Sequence, residues 1–386
     1  MSNSTSTRLD DSLLGAATLD TGTSVRVVRA DALDERERGE AAALLTAGEE
    51  RWPALEVAVT AEEHLRWRLE SPYGEHPGYV TLVRRDEGLT NLEWFTFRSF
   101  LVNGRGAVGA GPGESAGRAS LDAGDRAQLR NLRDLIDGQF DAQMRFHATA
   151  SSAWAELQGR AFELGNRVVT RTHVLDRHRY ALERTEHDST PLPARVIEAS
   201  LLWPRAIAAV AGRTAVVASD LEIVAVDRFD ERIDEFFVQA ARPFALIGVR
   251  DAPYLNWRYC DERAGRFVRL VATEEGATAG YAVVRLAHDH AYLADLLTLP
   301  GRSDIVAALL RQVLEAGRAE GAMAIEAWLP STHPDTDTYK RLGFFSEHSG
   351  PVVTVNVHGR GEPSALDFLR APDASIHLTL GDSDRA

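Results

Sequence analysis

Alternation of apolar and polar positions marks a series of strands along this chain. Ser24 to Ala30 (SVRVVRA) alternates with period two, as a strand with one buried face does. Gly78 to Arg85 and Leu92 to Val102 form a pair around the turn at Asp86-Glu-Gly88, and Arg145 to Thr149 and Arg167 to Leu175 follow. Helical stretches separate them: the charged, Ala-rich Asp31 to Glu50, then about 124–142 and about 151–164. Thr60-Ala-Glu-Glu63 has capping-box spacing and opens a helix carrying His64-Leu-Arg-Trp-Arg68. The glycine-rich run Gly104 to Gly117 predicts a loop or an irregular hairpin.

After Thr185 to Pro193 (TEHDSTPLP), the best linker, and a bridging helix at about 194–211, the order recurs. Leu221 to Val226 reads as a strand, Asp230 to Ala241 as a helix and Asp251 to Cys260 as a short helix. Three strands follow (Phe267 to Thr273, Thr278 to Ala287, Ala291 to Leu297), then a helix from Arg302 to Glu320. Ala322 to Trp328 is a strand, Thr336 to Leu342 a short helix, and two strands lie within 344–358. The recurrence predicts an internal duplication. Leu65-Arg-Trp-Arg68 aligns with Leu255-Asn-Trp-Arg258, and Gly165 with Gly343. The expected organisation is a flexible segment 1–22, a first domain 23–184, a linker and helix 185–212, a second domain 213–360 and a tail 361–386.

Composition narrows the class. Hydrophobic residues at 44% and charged ones at 26% belong to a globular chain, and no apolar run is long enough for a bilayer span. A single cysteine, Cys260, excludes a disulfide framework and a cysteine-based zinc site. With no visible secretory signal at Met1 to Asp11, the expected location is the cytoplasm. The net charge of −14 repels a phosphate backbone and disfavours nucleic acid as a partner. Only Lys340 among 43 basic residues is lysine, so any bound anion is held by arginine forks or backbone amides.

The element order, with Tyr339-Lys-Arg-Leu-Gly-Phe344 on the helix after the fifth strand, resembles the GNAT (N-acetyltransferase) superfamily and its Tyr-x-x-x-Gly-Phe signature. The resemblance covers about 215–358 well and about 24–180 loosely. It implies a mixed α/β (α+β) fold of two tandem GNAT-like domains, each with a largely antiparallel central sheet flanked by helices. It also implies an acyl-CoA donor, acetyl-CoA or another, beside the fourth strand at Leu296, Leu297 and Thr298. The pyrophosphate would sit on the next helix N-terminus, at Arg302, Ser303, Asp304 and Ile305, where free amides and the helix dipole favour an anion. Ser303 is the expected N-cap. The connecting Leu299-Pro-Gly-Arg-Ser-Asp304 is shorter and poorer in glycine than the superfamily's usual loop, and the first half has Glu114-Ser-Ala-Gly-Arg-Ala119 there.

Within that frame Tyr339 is the expected general acid, returning a proton to the CoA thiolate, with Ala161 at the matching place in the first half. Asp295, flanked by apolar residues, is the candidate base, its pKa raised by burial, the alternative being a carboxylate that faces solvent or pairs with an arginine; Glu326 is a second candidate. Trp67 and Trp257 read as core anchors, Arg68 and Arg258 as structural ion-pair residues, and His288 and His290 as surface residues rather than metal ligands; no metal is expected. These residues point to N-acyl transfer to the amine of a small metabolite or sugar, with the C-terminal half catalytic. The alternatives are a Fem-type transferase using aminoacyl-tRNA, a carrier-protein-dependent transferase, and a non-catalytic binding protein.

Overall fold

The computed structural model describes residues 13–18, 22–47, 57–73, 77–86, 88–110, 115–117, 136, 138–147, 161–187, 220–347, 350–357 and 363–383. The first half runs β1 (Leu13–Thr18), β2 (Ser24–Arg29), α1 (Glu35–Thr46), α2 (Ala61–Arg68), β3 (Gly78–Arg85) and β4 (Gly88–Val102). It continues with β5 (Arg105–Ala110), β6 (Ser115–Gly117), β7 (Ala142–His147), β8 (Ala161–Glu163), β9 (Val168–Val174) and α3 (Arg177–His187). The second half opens with β10 (Leu221–Ala225), α4 (Arg232–Ala240), β11 (Leu246–Gly248), α5 (Ala252–Tyr259), β12 (Phe267–Glu274), β13 (Ala277–Ala287) and β14 (His290–Thr298). Then come α6 (Ser303–Ala319), β15 (Ala324–Pro330), α7 (Thr336–Arg341), β16 (Phe345–Ser346), β17 (Val352–Val357), α8 (Pro363–Leu366) and β18 (Ile376–His377).

The local signals act as expected. Thr60 and Glu63 close a reciprocal capping box on α2. The glycine-rich run is strand rather than loop over Arg105–Ala110. Asn103 and Gly104 both have positive φ, 50° and 75°, which makes a two-residue turn whose twist suits a hairpin, and β5 pairs β4 from Arg105↔Val102 to Ala110↔Phe97.

The two mixed sheets do not follow the two halves of the chain. The order in one is β1-β2-β3-β4-β5-β7-β17-β8, and in the other β10-β12-β13-β14-β15-β9-β16. Strand β9 of the first half lies between β15 and β16 of the second, while β17 of the second lies between β7 and β8 of the first. Each half therefore lends a late strand, β9 or β17, to the other, and backbone hydrogen bonds hold the halves together. Period-two alternation sets which face of a strand is buried; it does not name the neighbour.

The duplication has a physical axis. Trp67 and Trp257 stack with ring centroids 5.2 Å apart, and each indole N–H donates to the other's backbone carbonyl, at 2.8 and 3.0 Å. Such reciprocity between two residues of an aligned motif is what an internal two-fold produces. Trp67 is fully buried, so Trp67→Phe removes a satisfied buried donor and strands the Trp257 carbonyl. Denaturant unfolding of that variant should show a loss of about 1–3 kcal/mol.

Several boundaries differ from the sequence reading. Residues 13–18 of the segment expected to be flexible form β1, paired with β2. Ala161 belongs to strand β8, opposite Asn356, not to a helix, so it does not match Tyr339. The expected strand at Arg145 to Thr149 begins three residues earlier, at Ala142. The helices at about 124–142 and 151–164, the bridging helix and most of the 185–212 linker lie largely outside the described residues. The tail beyond 361 is built into the core: Ile376, Leu378 and Leu380 are at most 1% exposed. No helix among the described residues is long and apolar enough to cross a membrane.

Candidate functional site

In the second half, β14 and β15 pair in parallel from His290↔Ala324 to Leu293↔Ala327 and then part, although β14 runs on to Thr298 and β15 to Pro330. Leu296, Leu297 and Thr298 keep β13 on one side; on the other, no strand pairs with them among the described residues. All three are buried. Helix α6 starts at Ser303, but the residue before its first turn is Arg302, not the Ser303 N-cap expected, and no side chain caps from that position. Asp304 stands in the first turn, and the N–H groups of Ile305 and Val306 donate to Arg302 O at 3.0 and 3.1 Å. A carboxylate thus stands in the turn expected to hold a pyrophosphate, where its charge opposes an anion. The Arg302 guanidinium is forked onto Glu274, at 2.7 and 3.0 Å, and onto Asp304, at 2.8 and 3.0 Å.

Asp295 sits at the point of parting and is fully buried. Arg250 Nε donates to it at 3.2 Å and Tyr281 Oη at 2.9 Å; Thr379 Oγ1 is 3.3 Å and His377 Nε2 3.6 Å away. Burial would raise this carboxyl, as the sequence suggested. Arg250, then His377 and Tyr281, outweigh burial and hold it well below the usual carboxylate range. The same arginine donates to Asp382 at 2.8 Å, and Asp382 is also paired with Arg98 of β4. Two guanidiniums and two carboxylates therefore form a closed buried set joining both halves to the chain's last described residues. Sequence reasoning passed over Arg250, Asp382 and His377. A legible signal was present, because Thr379 and Asp382 have capping-box spacing and close that box in the structure.

Residues 376–383 fill the second half's parting on the face turned to the first half. Ile376 and His377 pair β11, which pairs β4. A Cβ on Gly381 would meet Tyr259 Oη at 2.0 Å and Ala294 O at 2.9 Å, so the backbone is pressed against β14 itself. Beside this segment, His333 Nε2 is 3.1 Å from His377 Nδ1, and both rings pack on Phe244.

Tyr339 lies on α7 with its ring edge-on to Phe344, and is 2% exposed. Burial first, then Asp335, pushes its phenol well above the ordinary value, so it stays protonated. Arg171 of the exchanged strand β9 bonds Ser346 at 3.1 Å close by. Glu326 accepts from Trp328 Nε1 at 3.0 Å. The guanidinium carbons of Arg68 and Arg258 stand 5.2 and 5.5 Å from the Trp67 ring centroid, and Arg258 also donates to Ser383 O. Cys260 is half-buried, its thiol pushed up by burial. His290 is 3.5 Å from Glu183, and no cluster of three or more metal-ligating side chains occurs among the described residues.

The first half holds a matching pair of parallel strands. Strands β5 and β7 pair in parallel only at Gly109↔Ala142 and Ala110↔Gln143. Beyond that point β6 stays on β4 while β7 stays on β17, and among the described residues nothing pairs β6 with β7. The expected first-half phosphate loop, Glu114 to Ala119, lies outside the described residues except for Ser115–Gly117, which form β6. Along β5 from Arg105 to Gly109, on the face that also meets Leu246 and Leu366, lies an apolar cavity of about 260 Å³.

No family model matches the sequence, and no curated protein matches it significantly. Solved structures do. A probable N-acyltransferase from Enterococcus faecalis V583 superposes with a TM-score of 0.56 at 12% identity, over 89% of this chain and 74% of that one. Saccharomyces cerevisiae N-myristoyltransferase with bound myristoyl-CoA gives 0.56 at 12% identity, over 92% and 89%. A tandem GNAT protein from the clavulanic acid biosynthesis pathway gives 0.52 at 14% identity, over 88% and 100%. With duplicated halves, parted parallel strands in each and these likenesses along most of its length, the chain is a protein of the tandem GNAT fold.

Proposed function

We propose that this protein transfers an acyl group from acyl-CoA to the amine of a small molecule. The observation that carries the reading is the parting of two parallel strands, seen fully in the second half, where the buried Leu296, Leu297 and Thr298 have no partner strand on one side among the described residues. A pantetheine arm can lie against such an edge by the same backbone hydrogen bonds that another strand would make, and an N–H there can stabilise the oxyanion of direct amine attack. Two of the similar structures are described as N-acyltransferases, and one carries a bound acyl-CoA.

Which half takes the donor follows from what fills each parting. In the second half, residues 376–383 press against β14 beside Asp295, and the Arg302 guanidinium is already matched by Glu274 and Asp304. In the first half no described residue fills the space beyond the β5–β7 pairs, and an apolar cavity lies beside those pairs along β5. We therefore place the donor on the first half and read the second as the scaffold that closes the site. The second reading keeps the donor at Leu296 to Ile305, with Tyr339 as proton donor; Tyr339 on α7 and the unpaired edge of β14 favour it, and it requires the terminal segment to withdraw. An acyl-CoA donor and a single cysteine both suit the cytoplasm.

Calorimetric titration with acetyl-, octanoyl- and free CoA tests the reaction class: binding of at least one is expected, and no heat with any would move the reading to another donor. Tyr339→Phe separates the halves. On the first-half reading its turnover stays within about twofold of the parent. General acid loss would instead lower kcat about 10²-fold with KM unchanged, and that result would place the donor on the second half.

A further inference from the structure

We infer that Arg171 is the centre of a binding site for a small carboxylate, at the surface where β9, β16 and α7 meet. The inference goes beyond acyl transfer and does not depend on which half takes the donor.

Arg171 is 2% exposed and lies on β9, the strand that the first half contributes to the second sheet. Its cross-strand neighbours are Ala327 of β15 and Ser346 of β16, and neither carries charge. The guanidinium reaches the rim of the sheet, where Nη1 donates to Ser346 Oγ at 3.1 Å and Nη2 to Thr336 Oγ1 at 3.4 Å. Ser346 is exposed and Thr336 half-buried, so the fork points at hydroxyls that solvent reaches. The buried Nε has no hydrogen-bond acceptor. No carboxylate among the described residues pairs with this arginine.

The other buried arginines at the junction of the halves are treated differently: Arg98 and Arg250 share Asp382, and Arg250 also meets Asp295. Burial pulls the Arg171 guanidinium below its ordinary value, and the groups that act the other way are Tyr339 and Asp337. Tyr339 stays protonated and supplies no charge; Asp337 is exposed and accepts from Lys340 at 3.3 Å. Asp335, the other carboxyl at the start of α7, stands 3.6 Å from His333 Nδ1.

A cation removed from water without a counter-charge favours an anion, and the surroundings choose which. A carboxylate matches the planar fork with two parallel bonds. The bond to Thr336 is long, and a charged oxygen can take its place at about 2.8 Å. The Ser346 and Thr336 hydroxyls each have a proton of their own to donate to the same anion. Asp335 and Asp337 nearby oppose a second negative charge, which disfavours a phosphate dianion.

The test titrates the full-length protein with sodium acetate, sodium phosphate or sodium chloride at one ionic strength and reads the urea midpoint. Two charge-assisted hydrogen bonds correspond to a dissociation constant on the order of 1 mM. Acetate at about 100 mM should therefore raise the parent's midpoint above that in chloride. Arg171→Met should lose this increment, and Arg171→Lys, which keeps the charge without the fork, should weaken acetate about tenfold. In chloride alone the methionine variant should match or exceed the parent in stability, because it removes a charge that no carboxylate offsets. A methionine variant that is less stable in chloride, or does not fold, would make Arg171 a structural strut and overturn the site. So would no acetate increment in the parent, an increment that survives either substitution, or a larger Arg171-dependent increment with phosphate than with acetate.

Discussion

Asp382→Ala should cost about 3–5 kcal/mol of stability, read as a fall in the urea midpoint, because it removes one member of a closed buried ionic set. In the native protein Arg98 and Arg250 face Asp382 and Asp295, with the arginines at most 6% exposed and the carboxylates at most 2%. Take away Asp382 and two guanidiniums must share one carboxylate in a site that water does not reach. Burial works against both charged forms, and only their mutual pairing holds Asp382 low and Arg250 high. The loss would spread beyond the pair. Asp382 is where the terminal segment grips both halves, through Arg98 of β4 and through Arg250 beside Asp295. The variant should therefore also expose residues 376–383 to hydrogen exchange ahead of global unfolding. A loss under 1 kcal/mol with unchanged exchange would show that this set does not join the halves.

Acid should destabilise the protein well before its carboxylates titrate. His64 is buried against Arg263 O at 2.7 Å, and burial, then Arg68, Arg285 and Arg258, lower its pKa to about 3. His333 is lowered well below its ordinary value by burial, then by His377 and Arg171. For such a group the unfolded chain takes up a proton below pH ~6.5 while the native chain does not, so stability falls as pH falls. Each histidine contributes a slope of about 1.4 kcal/mol per pH unit, and His64 alone about 4–5 kcal/mol between pH 6.5 and 3. Asp295 and Asp382, with lowered pKa values, act in the same direction only below pH ~4, as they are protonated. Urea midpoints at pH 7.5 and pH 5 should differ clearly, and His64→Gln should flatten part of that difference. Equal midpoints would show that both rings become solvated in the native state.

Closing the second half with its own chain has a consequence for how duplication is used here. Two copies of one architecture share a core, exchange strands β9 and β17 and meet at the Trp67–Trp257 pair, yet among the described residues only the second copy has its parting filled by a segment of its own chain. The arginine that would bind a phosphate there is spent on Glu274 and Asp304. Copies that fold together need not both bind.

Much of this was decided locally and was legible. The capping box at Thr60, the alternation of β2, β3 and β12 to β14, and the recurrence of Leu-x-Trp-Arg depend on contacts within one turn or one strand, or on a repeated pattern. The Tyr339-to-Phe344 motif and the element order were enough for the fold. What the sequence could not supply was partnership. Strands β9 and β17 read correctly as strands and wrongly as members of their own half, because backbone hydrogen bonds carry no side-chain address. Asp295 reads either as a carboxyl raised by apolar neighbours or as one paired with an arginine, and only the structure chose the second, because Arg250 lies 45 residues away in the chain and the terminal segment arrives from 84 residues beyond. Local chemistry determined the elements and the duplication. Only the tertiary structure decided what stands beside the second half's parting, since that depends on where distant segments meet in the packed core.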